Sequence, residues 1–226
     1  MFFWLTNALG LGAAYLIGSL PTGFLAGKIL KGVDIRQYGS SSTGATNVLR
    51  TLGFWPFVFV LAIDMLKGAA AIIFVRWLCQ ALLAWPATKA PAWMEPSLFA
   101  SWAVCLAGLA VLLGHARSIW LNFSGGKSVA AGVGMLTALS WPVALASLTI
   151  FGVSLALLRT MSVSSMLAAV TAIGFVCVLE EPFPYRVLVI IGAVFVIVRH
   201  RANIGRLLSG TEPRIGQTSR SGLKIR

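Results

Sequence analysis

The chain has 226 residues, of which 58% are hydrophobic and only 11% carry a charge, and its mean hydropathy is +0.88. A soluble domain carries about 25% charged residues, so the composition excludes a soluble globular protein and indicates one polytopic membrane domain over residues 1–226. The net charge of +12 is concentrated between apolar segments and in the tail, which is typical of membrane topology signals and argues against a nucleic-acid partner.

Seven apolar segments are predicted to cross the membrane as α-helices, because a helical span needs about 20 apolar residues. In chain order they cover residues 2–26, 54–75, 98–113, 128–140, 143–158, 166–179 and 187–198. Several are shorter than a full crossing, so some helices are expected to be tilted, half-length or re-entrant. The predicted fold class is an all-α integral membrane protein with about seven transmembrane helices.

The basic residues lie mainly on one side of this arrangement. If the N-terminus is outside, the loops after the first, third, fifth and seventh helices are cytoplasmic. Those regions hold Lys28, Lys31, Arg36, Arg50, Arg117, Lys127, Arg159 and every basic residue from position 199 onward. The outer loops hold Lys89, Glu95, Glu180, Glu181 and few other charges. The positive-inside rule therefore predicts an outer N-terminus and a cytoplasmic C-terminus, with a basic cytoplasmic tail over 201–226.

The unusual polar residues face that same side of the membrane. They fall in four segments, residues 34–50, 114–128, 159–165 and 199–214. A channel would place polar groups along its spans, whereas a cluster at one interface indicates a site that meets a soluble substrate there. Binding chemistry is therefore expected in these four segments.

Residues 122–134, NFSGGKSVAAGVG, end like a phosphate-binding P-loop, but the first glycine of that motif would fall on Leu121 and no strand precedes it. Nucleotide hydrolysis is therefore rejected. The segment still favours an anion, because Gly125 and Gly126 are expected to point backbone N–H groups outward at a helix N-terminus beside Lys127. The alternative is an interfacial turn with a snorkelling lysine.

The segment GSSSTGATNVLR, residues 39–50, is the richest in hydrogen-bonding groups. It offers several hydroxyls, including Ser40 and Thr46, together with the carboxamide of Asn47 and the guanidinium of Arg50. Hydroxyls, backbone N–H groups and a guanidinium suit a phosphate. An ordinary polar loop with a helix cap is the alternative.

Two further groups of residues complete the candidate site. His200 and Asn203 are expected to share a helical face, next to Arg201 in a basic segment. The alternatives are a buried hydrogen bond for His200 and contact of the arginines with anionic lipid headgroups. Asp64 and Lys67 lie three residues apart in the second span, so we expect a buried ion pair that supports the site.

Several classes of chemistry lack the residues that they require. The H-x4-D pair of acyl-CoA acyltransferases is absent, because Trp120 and Gly205 stand five residues after the two histidines. No G-x-S-x-G nucleophile elbow is present. No His, Cys or carboxylate group has metal-ligand spacing, so neither a metal nor a cofactor is expected.

A resemblance to a known family rests on six segments in order. They are GSLP at 18–21, GATNVLR at 44–50, DMLKG at 64–68, GH at 114–115, FSGGK at 123–127, and HRANI at 200–204 continuing to Glu212. Together they resemble the PlsY family of bacterial membrane enzymes, the acyl-phosphate:glycerol-3-phosphate acyltransferases, over nearly the whole chain. The chain departs from the usual family residues at Ser41, Ser42, Arg117, Ser118 and Ser128.

The resemblance implies transfer of a fatty acyl group from acyl phosphate to the C1 hydroxyl of glycerol 3-phosphate. The products are lysophosphatidic acid and phosphate, in the first acylation of phospholipid synthesis. The expected catalytic residues are Ser40, Arg50, Lys127, His200 and Asn203, and the expected substrate-binding residues are Gly44, Thr46, Asn47, Gly125, Gly126 and Arg201. Arg50 and Lys127 would hold the phosphates, Asn203 would position a reacting group, and His200 would orient Asn203 or a phosphate.

The resemblance also implies a multi-pass protein of the bacterial inner membrane whose site faces the cytoplasm. The expected partners are the two substrates and membrane lipid, while self-association and contact with the enzyme that makes acyl phosphate stay open. Two other functions would also use cationic pockets. One is an organic-phosphate transporter, for which inverted repeats and polar midplane residues would be expected. The other is an acyltransferase that takes its acyl group from acyl-CoA or acyl carrier protein.

Overall fold

A computed structural model describes residues 2–85 and 95–216, and the fold is helical throughout these ranges. The α-helices are α1 (Phe2–Ser19), α2 (Thr22–Lys31), α3 (Ala45–Leu52), α4 (Phe54–Ala84), α5 (Pro96–Ala116), α6 (Val129–Leu139), α7 (Trp141–Leu158), α8 (Met161–Val178), α9 (Phe183–Arg199) and α10 (Arg201–Leu208). Short 3₁₀ helices cover Ile35–Gln37 and Ile119–Leu121. Lys89, predicted in an outer loop, and residues 217–226 of the predicted tail lie outside the described residues.

Five stretches of the described chain are long and apolar enough to cross a membrane. They are Phe3–Lys31, Phe54–Ala84, Pro96–Ala116, Trp141–Leu158 and Met161–Val178. Helices α9 and α10 qualify together as a sixth, although the chain bends by 53° between them. Helix α6 has only 11 residues, which fits the expectation of a half-length helix. The chain is therefore an all-helical membrane protein, and the count of seven crossings stays a prediction.

Two predicted helix boundaries are wrong. Helix α4 does not end at residue 75 but continues to Ala84. A helix satisfies its own backbone hydrogen bonds, so it can continue past a polar residue. The long side chain of Arg76 can reach outward from the apolar span. The polar patch predicted to precede the sixth helix is instead its first turn, since α8 begins at Met161. Ser164 and Ser165 donate their hydroxyls to backbone carbonyls four residues earlier, so these polar residues are accommodated within the helix.

Helix α4 packs against α1, α5 and α6, while α7 and α8 pair with each other and α8 continues onto α9. Small residues allow the closest approaches. A side chain at Gly134 of α6 would collide with the Met65 carbonyl of α4, and one at Gly114 of α5 would collide with the Tyr15 carbonyl of α1. This tight packing fixes the starts of α3, α6 and α8 around one cavity, which contains the candidate site.

Candidate functional site

A cavity that opens to solvent lies among the described residues. Its polar end is formed by the loop before α3, the starts of α6 and α8, and α10. Its apolar wall is formed by α4, including Phe57 and Leu61, and by α7, including Leu148 and Phe151. The cavity therefore joins a polar, cationic end to a wall of membrane-spanning helices.

Eight of the eleven predicted site residues line this cavity. They are Ser40, Gly44, Thr46, Asn47, Arg50, Lys127, His200 and Asn203. The fold thus brings together three segments that are far apart in sequence. Gly125, Gly126 and Arg201 are absent from the lining, and Arg201 is exposed at the start of α10. The substrate contact of Arg201 therefore stays a prediction, while its charge contributes to the basic surface.

Three helices direct their N-termini at the cavity. The first residues of α3, α6 and α8 all belong to its lining, as illustrated by Ala45, Val129 and Met161. The first N–H groups of a helix have no partner within that helix, and the helix dipole adds partial positive charge there. The convergence of these ends makes the cavity suited to phosphate.

A chain of hydrogen bonds links Lys127 to Arg206 at the polar end. The Lys127 ammonium donates to Asn203 Oδ1 at 2.6 Å, and Asn203 Nδ2 donates to Glu212 Oε1 at 2.6 Å. Ser162 Oγ donates to the same carboxylate oxygen at 2.7 Å, while Arg206 Nε donates to Glu212 Oε2 at 2.7 Å. Asn203 is therefore a bridge that sets the position of Lys127, with Glu212 holding the bridge in place.

The protonation of Lys127 and Glu212 is set by their surroundings. Burial lowers the pKa of Lys127 to about 8, an effect that Glu212 opposes and nearby arginines reinforce. Burial raises the pKa of the Glu212 carboxyl, but hydrogen bonds from Asn203 and Ser162 outweigh it and hold that pKa below the usual value. Lys127 is therefore a cation at neutral pH that titrates within an accessible range, and Glu212 is a fixed anion.

Arg50 supplies a second cation to the cavity. It lies in the last turn of α3, and its guanidinium makes no hydrogen bond or ion pair within residues 2–85 and 95–216. A guanidinium carries five donors in a rigid fork that matches a phosphate group. Arg50 is therefore available to bind an anion without first breaking an internal contact.

The first loop is organised by Asn47, whose carboxamide contacts four backbone groups of that loop. This side chain is fully buried, and its Nδ2 contacts the carbonyls of Ile35, Tyr38 and Ser42. Its Oδ1 accepts from the backbone N–H of Ser40 at 2.8 Å. Its carboxamide satisfies loop backbone that would otherwise be buried without partners, so Asn47 supports the loop, and a direct contact with substrate stays a prediction.

The Gly125–Gly126 turn is also built differently from the prediction. The Gly126 N–H donates to the His115 carbonyl at 3.0 Å, so it does not point into the cavity. A side chain at Gly126 would collide with the His115 imidazole, and its carbonyl accepts from Arg199 Nη2 at 3.0 Å. The prediction of an outward N–H is wrong for Gly126. Glycine is needed here for close packing, and the first turn of α6 supplies the N–H groups.

His200 forms the corner between α9 and α10 and lines the cavity. Its Nδ1 lies 2.8 Å from the Val196 carbonyl, which requires a proton on Nδ1. The remaining ring nitrogen, Nε2, is then an acceptor in the neutral ring. Since His200 and Asn203 both line the cavity, the expectation that they act at one site is consistent with the geometry.

Sequence reasoning missed two residues of the polar end. Glu212 was recognised only as part of a motif, and Ser162 only as part of a polar patch. Glu212 is a lone carboxylate within a strongly basic segment. A buried carboxylate is usually paired with a cation, so this sequence context could have predicted its role. Ser162 gave no comparable signal, since serines are common at helix starts.

The assembled groups can bind more than one phosphate. Two cations, three helix starts and several hydroxyls face one space, while the apolar wall suits a hydrocarbon chain. In the part of the chain that the structure describes, no cluster of His, Cys, Asp and Glu could hold a metal ion. The chemistry that this site favours is transfer between phosphate-bearing molecules, promoted by orientation and fixed positive charge.

One family recurs when the chain is compared with known proteins. The sequence model of the family described as glycerol-3-phosphate acyltransferase matches residues 8–210. Glycerol-3-phosphate acyltransferase 2 of Rhizobium johnstonii is 58% identical over 219 residues, which cover 97% of this chain and 100% of that protein. The glycerol-3-phosphate acyltransferase of Acaryochloris marina is 50% identical over 218 residues, which cover 96% of each chain.

Two crystal structures share the fold. PlsY (YgiH), described as an integral membrane glycerol 3-phosphate acyltransferase, matches in its glycerol 3-phosphate form with a TM-score of 0.79 and 34% identity, over 93% of this chain and 96% of that chain. Its lysophosphatidic acid form matches with a TM-score of 0.76 and 35% identity, over 93% of this chain and 95% of that chain.

Proposed function

Because the chain belongs to the glycerol-3-phosphate acyltransferase family and is an integral membrane acyltransferase, we propose that its acyl donor is a fatty acyl phosphate. The acceptor is the C1 hydroxyl of glycerol 3-phosphate, and the products are lysophosphatidic acid and phosphate. The related structure, described in glycerol 3-phosphate and lysophosphatidic acid forms, supports this acceptor and this product.

The observation that carries the donor assignment is the joining of cationic and apolar surfaces in one cavity. Lys127 and Arg50 line the polar end, and membrane-spanning helices form the apolar wall. An acyl phosphate has a small anionic head directly on a hydrocarbon chain, so it matches this division.

The reaction is a direct transfer. The C1 hydroxyl oxygen attacks the acyl carbonyl carbon, the bond from that carbon to the phosphate oxygen breaks, and phosphate leaves with the bonding electrons. The hydroxyl proton passes to a substrate phosphate oxygen. Because the donor is already activated, no protein nucleophile is required, and the contribution of the enzyme is orientation and charge stabilisation.

The site residues then have distinct roles. Lys127 and Arg50 bind the phosphates and stabilise the charge that develops on the leaving group. Ser40 and the start of α3, at Gly44 and Thr46, add O–H and N–H donors. Asn203 sets the position of Lys127, and His200 contributes a ring nitrogen at the same surface.

We assign the cavity to the cytoplasmic face of the bacterial inner membrane, where soluble glycerol 3-phosphate is available. The distribution of basic residues supports this orientation.

Cysteine labelling tests this orientation in a protein from which the native cysteines have been removed. Ser209→Cys should react with an impermeant maleimide only after cells are permeabilised. Glu180→Cys, which precedes α9 at its opposite end, should react in intact spheroplasts. Both positions are exposed. The reverse pattern would contradict the orientation.

The rate should fall in alkaline solution because Lys127 loses its proton. Burial lowers the pKa of Lys127 to about 8 in the unliganded site. The cation binds phosphate below this value and is lost above it, so kcat/KM for glycerol 3-phosphate should fall about tenfold per pH unit well above pH 8. The substrate phosphate is already fully ionised there, since its second pKa is about 6. Lys127→Arg should remove this alkaline limb, and an unchanged limb in that variant would contradict the assignment.

The donor is tested by supplying palmitoyl phosphate, palmitoyl-CoA and palmitoyl-acyl carrier protein separately to the purified protein with glycerol 3-phosphate. Lysophosphatidic acid is measured for each donor. The proposal expects product from palmitoyl phosphate alone. Product from either thioester at a comparable rate would overturn the donor assignment while leaving the acyltransferase activity intact.

A further inference from the structure

Two buried polar atoms beside the cavity lack a hydrogen-bond partner in the described chain. They are Asp64 Oδ2 and His115 Nδ1. Both side chains line the cavity, and they are only 0% and 7% exposed. An unpaired buried carboxylate oxygen costs free energy and is rare in native proteins, so the pair is unlike an ordinary core contact.

The other oxygen of Asp64 is already well satisfied. Asp64 Oδ1 accepts from Thr22 Oγ1 at 2.5 Å and from Lys67 Nζ at 2.8 Å, which confirms the predicted buried ion pair. Lys67 also donates to the Leu20 carbonyl at 3.0 Å. A carboxylate paired with an ammonium uses its oxygens as hydrogen-bond acceptors. The unpaired Oδ2 therefore requires a donor.

His115 lies between this carboxylate and the Gly125–Gly126 turn. Its Nδ1 is 3.8 Å from Asp64 Oδ1, which is too far for a hydrogen bond. The Nε2 edge of the ring packs against Gly126, the residue before Lys127, and the His115 carbonyl accepts the Gly126 N–H. Asp64, His115 and Lys127 all line the same cavity, so one ligand that carries a phosphate and a hydroxyl can contact all three.

We propose that Asp64 and His115 bind the C2 hydroxyl of glycerol 3-phosphate, an inference that rests on the proposed function. A hydroxyl is one donor and two acceptors, so it can donate to Asp64 Oδ2 and accept from the N–H of His115 Nδ1 in the neutral ring. A ketone at C2 cannot donate, and a methylene can do neither. Asp64 and His115 thereby select an acceptor that carries a secondary alcohol beside its phosphate-bearing carbon.

The first test compares acceptors in the wild-type protein. Dihydroxyacetone phosphate replaces the C2 hydroxyl with a carbonyl, and 3-hydroxypropyl phosphate replaces it with a methylene, while both keep the reacting hydroxyl and the phosphate. We expect kcat/KM to be lower by about 100-fold or more for each, because a buried acceptor is left unpaired. Use of either analogue as efficiently as glycerol 3-phosphate would overturn the proposal.

The second test changes the hydrogen-bonding character of Asp64. Asp64→Asn places an N–H donor within reach of a ketone, so the preference for glycerol 3-phosphate over dihydroxyacetone phosphate should shrink by about tenfold or more. Thr22→Val removes a partner of Oδ1 but not of Oδ2, so it should leave that ratio unchanged. If the contacts of Asp64 were only structural, Asp64→Asn and Thr22→Val would each lower the rates with glycerol 3-phosphate and dihydroxyacetone phosphate by the same factor. An unchanged ratio of these two rates in Asp64→Asn would overturn the proposal.

Two further measurements keep the tests separate. If Asp64→Asn does not fold, His115→Asn replaces it in the test. His115→Asn should reduce the preference for glycerol 3-phosphate over 3-hydroxypropyl phosphate, and an unchanged preference would contradict the proposal. The assays use whichever acyl donor supports acylation of glycerol 3-phosphate, so an error in the donor assignment does not affect them. If the wild-type protein acylates no glycerol 3-phosphate with any donor, the proposed function fails first and this inference fails with it.

Discussion

Replacement of Lys127 with alanine is expected to lower kcat/KM by about three orders of magnitude, because one cation that stabilises a developing anion commonly contributes that much. Lys127 lies between the start of α6 and Asn203, and its ammonium contacts Asn203 Oδ1 at 2.6 Å. Arg50 remains in the variant, so some phosphate binding should persist. The loss should therefore be largest in kcat, with a smaller increase in KM for glycerol 3-phosphate.

The matched control is Lys28→Ala. Lys28 lies in the last turn of α2, is exposed, and does not line the cavity. The Lys28→Ala substitution removes the same charge from the predicted cytoplasmic side, so it should change kcat/KM by less than about twofold. Steady-state rates with both substrates measure the difference. Equal effects of the two substitutions would show that Lys127 contributes only to the general basic surface.

Replacement of Glu212 with alanine is expected to lower kcat/KM by about 100-fold, although Glu212 is not assigned to either substrate. Its carboxylate accepts from Asn203, Ser162 and Arg206, and it is the only protein partner seen for Asn203 Nδ2 in the described chain. Without it, Asn203 can rotate and Lys127 loses its fixed position. Removal of one partner also leaves buried polar groups unpaired, so the protein should unfold at a lower temperature.

Arg206→Ala separates positioning from ion pairing. Arg206 contacts only Oε2 of Glu212, and about a third of its side chain is exposed, at 36%. Loss of a partly exposed ion pair should cost little, so the variant should keep activity within about tenfold of wild type. Rates and unfolding midpoints are measured for both variants. If Arg206→Ala is as inactive as Glu212→Ala, the ion pair rather than the Asn203 contact carries the effect.

The membrane class and the grouping of the site segments could be predicted from sequence, because both depend on composition and local pattern. Apolar length identified α4 and α7, which form the apolar wall of the cavity, but not the short helices α3 and α10 at its polar end. Charge asymmetry indicated that the polar segments share one side. The Asp64–Lys67 pair was also predictable, since residues three apart lie on one helical face and neither charge is stable alone in an apolar span.

The direction of individual polar groups could not be predicted in the same way. Asn47 and Gly126 both belong to motifs that suggest ligand binding, yet each uses its polar groups to satisfy nearby backbone. The role of Glu212 depends on the 53° bend at His200, which returns the chain across the starts of α8 and α10. Such contacts arise from tertiary packing, and no local spacing encodes them.

The measurement that tests the account most directly is the coupling between phosphate release and acyl transfer. Purified wild-type protein in detergent is given palmitoyl phosphate with and without glycerol 3-phosphate, and phosphate and lysophosphatidic acid are followed together. The account predicts phosphate release only with the acceptor, in equal amount to lysophosphatidic acid. Phosphate release without acceptor would contradict direct transfer and indicate hydrolysis or an acyl-enzyme, and no release with acceptor present would contradict the acyl phosphate donor.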